Sequence, residues 1–155
     1  MTDVDVLALD NQVCFALYAA NRAVTARYRP LLKTLNLTYP QYLVLLVLWE
    51  ADGAGVRVRV SDLARRLRLD TGTLTPLLKR LQVRHLVRRI RSDQDERVVV
   101  ITLTDSGRAL REQARTVPGQ LLGGSGLDPA RVAALRDELK SLLQSLEDAD
   151  ETSVR

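Results

Sequence analysis

SDLARRLRLDTGTLTPLLKRLQVRHLVRRIRSDQDERVVVITL, Ser61 to Leu103, decides the fold. Ser61 is a capping residue type, and Leu63, Ala64 and Leu67 follow at the spacing that puts them on one side of a helix reaching about Arg68. Asp70 is the next capping residue. Behind it Leu74, Leu77, Leu78 and Leu81 recur at i, i+3, i+4 and i+7, which predicts a helix over about Thr71 to Arg84 with one apolar face. Pro76 is tolerable there only if the helix starts close before it. Leu86 to Ser92 and Val98 to Leu103 are alternating or β-branched, and the polar tip Asp93-Gln94-Asp95-Glu96 lies between them, as in a hairpin. Two short helices meeting through a tight turn and followed by a hairpin make a winged helix-turn-helix. In that arrangement the second helix enters the major groove and the hairpin reaches an adjacent minor groove.

Outward from this centre the chain reads mainly as helix. Val56 to Val60 alternates strictly, a short half-buried strand with Arg57 and Arg59 outward. Before it, Thr38-Tyr39-Pro40-Gln41 has the form of a capping box with a first-turn proline. The apolar run Tyr42 to Trp49 then predicts a helix central to the core, closed by Asp52-Gly53. Val6, Val13, Leu17, Val24, Tyr28 and Leu31 share one stripe, so Val6 to Leu32 reads as a long helix that Pro30 kinks or ends. After the hairpin, Thr104-Asp105 starts a helix running toward Val117-Pro118, and Gly123-Gly124-Ser125-Gly126 is a break. Asp128-Pro129 starts the last helix, in which Val132, Leu135, Leu139, Leu142 and Leu146 form a leucine seam longer than a small core needs. The expected fold is mainly α (α+β), one domain over residues 1–155. Residues 1–50 and 105–146 are mainly dimerisation helices, 56–104 the winged helix-turn-helix, and 147–155 an acidic frayed tail.

Composition narrows the function. The 155 residues carry a net charge of +4 with 46% hydrophobic and 27% charged positions, an ordinary globular balance. The charge is unevenly spread: Val56 to Arg111 holds 14 Lys and Arg against 6 Asp and Glu, a net +8, while the rest holds 9 against 13. A basic middle between acidic ends is the footprint of a module that sits on phosphates. One cysteine, Cys14, rules out a thiolate zinc cluster within the chain, and one histidine, His85, argues against a histidine-based metal site or a Ser-His-Asp triad. The expectation is therefore a non-enzyme without metal or cofactor. No apolar run is long enough to span a membrane, and Met1-Thr2-Asp3-Val4-Asp5 is acidic rather than a basic signal region, so a cytoplasmic protein is expected.

For DNA contact the second helix offers Thr71, Thr73, Thr75, Lys79 and Arg80 off its apolar face. Hydroxyls and cations of this kind meet phosphates and base edges. The hairpin offers Arg88 and Arg97, with Arg89 and Arg91 beside them; a hairpin-tip arginine suits the negative potential of a narrow minor groove. Asp95, two residues before Arg97, is placed to hold its side chain. These arginines also balance Asp93, Asp95 and Glu96, the competing explanation for their presence.

The segment Asp95-Glu-Arg97-Val-Val-Val-Ile-Thr-Leu103-Thr104-Asp-Ser-Gly107 resembles the wing signature of MarR-family transcription regulators, Asp-x-Arg followed by Leu-Thr-x-x-Gly. Leu69 to Leu81, Leu9 to Ala20, and Leu37 to Val44 with Leu48-Trp49-Glu50 are similar to the one-cysteine OhrR type, repressors that sense organic hydroperoxides. The resemblance departs at Asp52 to Val60, a few residues longer than usual, at Arg68 in place of a common tyrosine, and at Arg84-His85 in place of a small residue and glycine. It implies a homodimer on a pseudo-palindromic operator, with Cys14 as the peroxidatic residue and Tyr18 one turn on. Tyr28 and Tyr39, by the same resemblance, contribute hydroxyls to the sulfur of the other subunit. With a single cysteine, oxidised Cys14 would have to react with a low-molecular-weight thiol or oxidise further. Other readings stay open: an inert core Cys14 in a repressor that responds to a small aromatic ligand, a small thiol peroxidase, and a nucleoid-type binder without sensing.

Overall fold

The computed structural model describes residues 5–153, so the expectation for Met1 to Val4 lies outside the described residues. Two compact units divide near Leu121 and Leu122. The first begins with a 3-10 turn over Leu9–Asn11, followed by α1 Val13–Lys33, α2 Tyr39–Ala54, β1 Val58–Arg59, α3 Val60–Leu67 and α4 Thr71–Val83. Then come β2 Val87–Arg91, β3 Val99–Leu103, α5 Asp105–Ala114 and α6 Val117–Leu122, and α7 Pro129–Ser153 forms most of the second unit.

Local capping chemistry sets most of the boundaries. The Thr38 hydroxyl accepts from the Gln41 N–H at 3.4 Å and the Gln41 side chain accepts from the Thr38 N–H at 3.0 Å, the reciprocal box expected at the start of α2. Asp70 accepts from the Thr73 N–H at 2.7 Å and Thr104 from the Gly107 N–H at 3.0 Å. Asp128 accepts from the Ala130 N–H at 3.2 Å ahead of α7. Pro76 lies inside α4, five residues from its start, where it forgoes one helical hydrogen bond, the one that would reach Gly72.

The core is built on α2. Tyr42, Val44, Leu45, Val47, Leu48, Trp49 and Ala51 are buried, and they meet Leu63 of α3 and Leu74, Leu77, Leu78 and Leu81 of α4 in one cluster. The sheet order is β1-β3-β2, all antiparallel, with Val87 opposite Leu103 and Arg91 opposite Val99. This completes the winged helix-turn-helix.

Several boundaries differ from the sequence reading. The first helix starts at Val13, not Val6, because the preceding segment satisfies its backbone otherwise. Asp5 accepts from the Leu7 N–H, Asn11 donates to the Asp5 carbonyl, and Gln12 donates to the carbonyls of Val6 and Ala8. Val6 is left 75% exposed outside the helix. Pro30 does not end α1, which runs on to Lys33 and closes with Asn36 at φ 52° and the Leu37 N–H on the Leu32 carbonyl. α2 runs past Asp52-Gly53 to Ala54, and Gly55 at φ 67° stops it.

The strand expected over 56–60 shrinks to Val58 and Arg59, which pair with Ile101 and Val100. The Arg59 N–H already bonds the Asp62 carboxylate at 3.0 Å, so α3 begins at Val60 rather than after Ser61. The helix toward Pro118 breaks after Ala114 and restarts as α6. In the second unit the acidic end is not frayed from Glu147: α7 is helical through Ser153, with Gln144 donating to Asp148 at 2.8 Å one turn on. Val154 and Arg155 lie outside the described residues.

Candidate DNA-reading surface and redox centre

α4 is held by its four buried leucines, which turns Thr71, Thr73, Lys79 and Arg80 outward. Thr75 is half-buried. Two of the three threonine hydroxyls already donate: Thr73 to Asp70 at 3.0 Å and Thr75 to the Thr71 carbonyl at 2.8 Å. Their oxygens remain acceptors, so Lys79, Arg80 and Thr71 are the donors that this face would offer to a phosphate. The hydrogen bonds from Thr73 also hold the Asp70 carboxyl below its ordinary range.

The hairpin presents Arg88, Arg89 and Arg91 from β2, all exposed, and Arg97 from the loop. Asp95 holds the backbone of Arg97 rather than the side chain expected: its carboxylate accepts the Arg97 N–H at 3.0 Å, and the Val98 N–H bonds the Asp95 carbonyl at 2.9 Å. This fixes the turn and leaves the guanidinium pointing off an exposed tip. At the wing base, His85 takes a left-handed φ of 55°, which explains why the glycine expected there by resemblance is its usual occupant. Arg84 is a staple that sequence reasoning missed; its guanidinium donates to the carbonyls of Asn36 and Leu35, tying the end of α4 to the end of α1.

The Leu103-Thr104-x-x-Gly107 segment has a physical cause. A Cβ on Gly107 would sit 2.1 Å from the Leu86 carbonyl oxygen, so only glycine lets the first turn of α5 lie against the chain entering the wing. Thr104 bonds the same junction through its N–H to Leu86 and its hydroxyl to the His85 carbonyl. The Trp49 indole N–H donates to the Gly107 carbonyl at 2.8 Å.

Cys14 is exposed, the second residue of α1 and so in the helix's first turn. Tyr18 is also exposed, and its hydroxyl accepts from Arg22 at 2.9 Å. Tyr28 and Tyr39 are brought together, with ring centroids 4.6 Å apart, and Tyr28 also lies 5.7 Å from Tyr42. Burial, then the Tyr39 and Tyr42 hydroxyls, push the Tyr28 phenol up to about 12, and burial raises Tyr39 and Tyr42 as well. All three therefore stay protonated donors at neutral pH. Cys14 does not join them within one chain. Fourteen residues separate it from Tyr28 on one helix, about 21 Å along the axis.

A groove of about 920 Å³ opens between the second half of α1, the start of α2 and the end of α4. Arg29, Lys33, Lys79, Arg80 and Arg84 line it with Leu37 and Tyr39, and the lining has no acidic residue. The lone tyrosine contact missed from the sequence, Tyr42, carried no signal beyond its place three residues after Tyr39.

Among the described residues there is no cluster of three or more His, Cys, Asp or Glu fit for a metal, and no helix long and apolar enough to cross a membrane. Residues 26–113 match the model of the transcriptional regulator SarA/Rot family. The organic hydroperoxide resistance transcriptional regulator of Bacillus subtilis is 46% identical over 142 residues, covering 92% of this chain and 94% of that protein. AbfR of Staphylococcus epidermidis, solved in reduced form bound to DNA, is 37% identical with a TM-score of 0.70, covering 89% and 94% of the two chains. Its overoxidised form, also solved bound to DNA, gives the same identity, coverage and TM-score.

Proposed function

The chain belongs to the MarR-type transcription regulators, the group that includes the SarA/Rot family, and we propose that it is a homodimeric repressor that leaves its operator when an organic hydroperoxide oxidises Cys14. The carrying observation is the chemistry around that residue. Cys14 is the chain's single cysteine, exposed in the first turn of a 21-residue helix, in a protein 46% identical to an organic hydroperoxide resistance regulator. Regulators of this type are dimers, and the DNA complexes of a relative support operator binding.

In this reading α4 lies in the major groove with Thr71, Thr73, Thr75, Lys79 and Arg80 toward bases and phosphates, and Arg88 and Arg97 of the wing reach the flanking minor groove, Asp95 shaping the tip. Two copies place their α4 helices about one DNA turn, roughly 34 Å, apart. The apolar residues left exposed on α1 and α7 (Val13, Val24, Leu135, Leu139 and Leu146 among them) are the surfaces that a second copy covers.

The roughly 21 Å separation along α1 keeps Tyr28 from the sulfur of its own chain, so a Tyr28 hydroxyl that reaches Cys14 comes from the other copy, and Tyr39, packed on Tyr28, comes with it. Tyr18, one turn from Cys14, borders the same sulfur. The Cys14 thiolate attacks the terminal peroxide oxygen; the O–O bond breaks, the alkoxide leaves and takes a proton to become the alcohol, and sulfenic acid remains on the protein. A low-molecular-weight thiol then attacks the sulfenic sulfur, water leaves, and a mixed disulfide forms. The added group cannot fit between packed tyrosines without moving them, and a small rotation of the paired α4 helices is enough to lose the half-site spacing. This chemistry is stoichiometric signalling rather than turnover, as befits a regulator acting on cytoplasmic DNA.

The basic groove of about 920 Å³ favours a second reading, a repressor that responds to a small aromatic anion with Cys14 inert. A mobility-shift titration on an operator duplex, with and without cumene hydroperoxide, separates the two. The redox reading expects Cys14→Ser to bind as the wild type does and to remain bound after oxidant. Release of Cys14→Ser by the peroxide, or release of wild type while mass spectrometry finds Cys14 unmodified, refutes it.

A further inference from the structure

The tyrosines proposed above as the sulfur's partners stand at one end of a continuous line of rings. Tyr28 lies 4.6 Å from Tyr39 and 5.7 Å from Tyr42, and Tyr42 meets the edge of Trp49 at 6.5 Å. Tyr42 and Trp49 are buried, 2% and 5% exposed, so neither ring has free space into which it can move alone. The line does not stop at Trp49. Its indole N–H donates to the Gly107 carbonyl across 58 residues of sequence, in a buried setting. Gly107 in turn is pressed so closely on the Leu86 carbonyl that a single methyl would overlap it. Leu86 precedes β2, the first strand of the wing, and its carbonyl also accepts from the Thr104 N–H at 3.1 Å.

We propose that Trp49 is the positioning residue that ties the tyrosine cluster to the wing, passing a displacement of Tyr28 and Tyr39 through Tyr42 to Gly107 and from there to the entry of β2. This rests on the redox reading and deepens it, by naming the contact through which an event at the sulfur alters the grip on DNA. A close-packed line of rigid rings moves as a body, and its last member holds the wing junction by a directional bond at a point where no slack exists. The bond matters because an edge contact between rings alone can slide, whereas an N–H to carbonyl bond keeps the indole and the first turn of α5 in register.

The test uses the full chain and an operator duplex selected from a random-sequence library. Fluorescence anisotropy measures affinity in the reduced protein and after cumene hydroperoxide with a small thiol, in wild type and in Trp49→Phe, which keeps a ring and loses the donor. The expected loss of affinity on oxidation is about 100-fold in wild type and about 5-fold in Trp49→Phe, with reduced-state affinities within about 3-fold of each other. Val117→Ala, a core truncation on α6 outside the ring line and the DNA-reading elements, should keep the full wild-type ratio, which a general loss of stability would not allow. Trp49 is the chain's single tryptophan, so its emission reports the junction directly in unmutated protein. A shift of that emission on oxidation of wild type, absent in Cys14→Ser, is expected. Equal release ratios in wild type and Trp49→Phe, or an emission spectrum unmoved by oxidation, overturn the proposal while leaving the redox reading intact. A wild type that stays bound with Cys14 fully oxidised overturns that reading and the coupling with it.

Discussion

Gly107→Ala and Gly53→Ala are the same chemical change with opposite expected outcomes. At Gly107 the new methyl would stand 2.1 Å from the Leu86 carbonyl oxygen and 3.1 Å from a Leu103 methyl. The nearer atom is backbone, anchored by the Thr104 N–H, so no flexible side chain can give way. The first turn of α5 must retreat by about 0.9 Å to restore even a 3.0 Å separation, and this stretches the Trp49 bond to the Gly107 carbonyl, now 2.8 Å. Overpacking of about 1–3 kcal/mol plus a weakened buried hydrogen bond of about 1 kcal/mol gives a loss of about 2–4 kcal/mol. For a chain of this size that lowers Tm by about 5–15 °C. Gly53 sits inside α2, and a methyl group at that position would meet nothing within 4 Å, so alanine there should stabilise by about 0.5–1 kcal/mol through lower chain entropy and better helix propensity. Thermal unfolding followed by circular dichroism at one fixed protein concentration reads both, since dimerisation makes Tm depend on concentration. A Gly107→Ala protein melting within 2 °C of wild type, on the order of the smallest shift expected from 1 kcal/mol, would show that the junction yields easily and that the close approach is not a constraint.

Other outcomes follow from single features. His85→Gly should raise stability by about 1 kcal/mol, because it removes a side chain from a left-handed position; an unchanged denaturation midpoint would contradict that account. Leu139→Glu puts a charge in the middle of the exposed α7 seam, and sedimentation equilibrium should show dissociation constants for the dimer at least about 10-fold weaker; a wild-type constant would remove α7 from the interface. The folded protein holds the Tyr28 proton to about pH 12, whereas an unfolded tyrosine ionises near 10. Stability from this group is therefore intact below pH 10 and falls as pH rises from 10 through about 12. Denaturant midpoints at pH 9 and pH 11 should diverge in wild type and diverge less in Tyr28→Phe, where the raised Tyr39 and Tyr42 keep part of the alkaline loss, and equal divergence in both would assign that loss elsewhere.

What could be read from the residues alone was what short spacings encode. Thr38, Asp70, Thr104 and Asp128 each begin a helix through a bond to a residue two or three positions on, and the four leucines of α4 face inward because 3.6 residues make a turn. The hairpin and its basic strand are equally local. Tertiary structure decided the rest, because it depends on contacts that periodicity does not specify. Apolar spacing carried the first helix back to Val6, but Asp5, Asn11 and Gln12 captured its backbone and moved the start to Val13, setting Cys14 in the first turn. β1 is two residues long because Asp62 takes the Arg59 N–H. The tilted ring contact of Tyr28 with Tyr39, and the meeting of Trp49 with Gly107, join residues 11 and 58 positions apart. Such pairs form only when the whole chain has closed around α2, and no local rule of the sequence contains that closure.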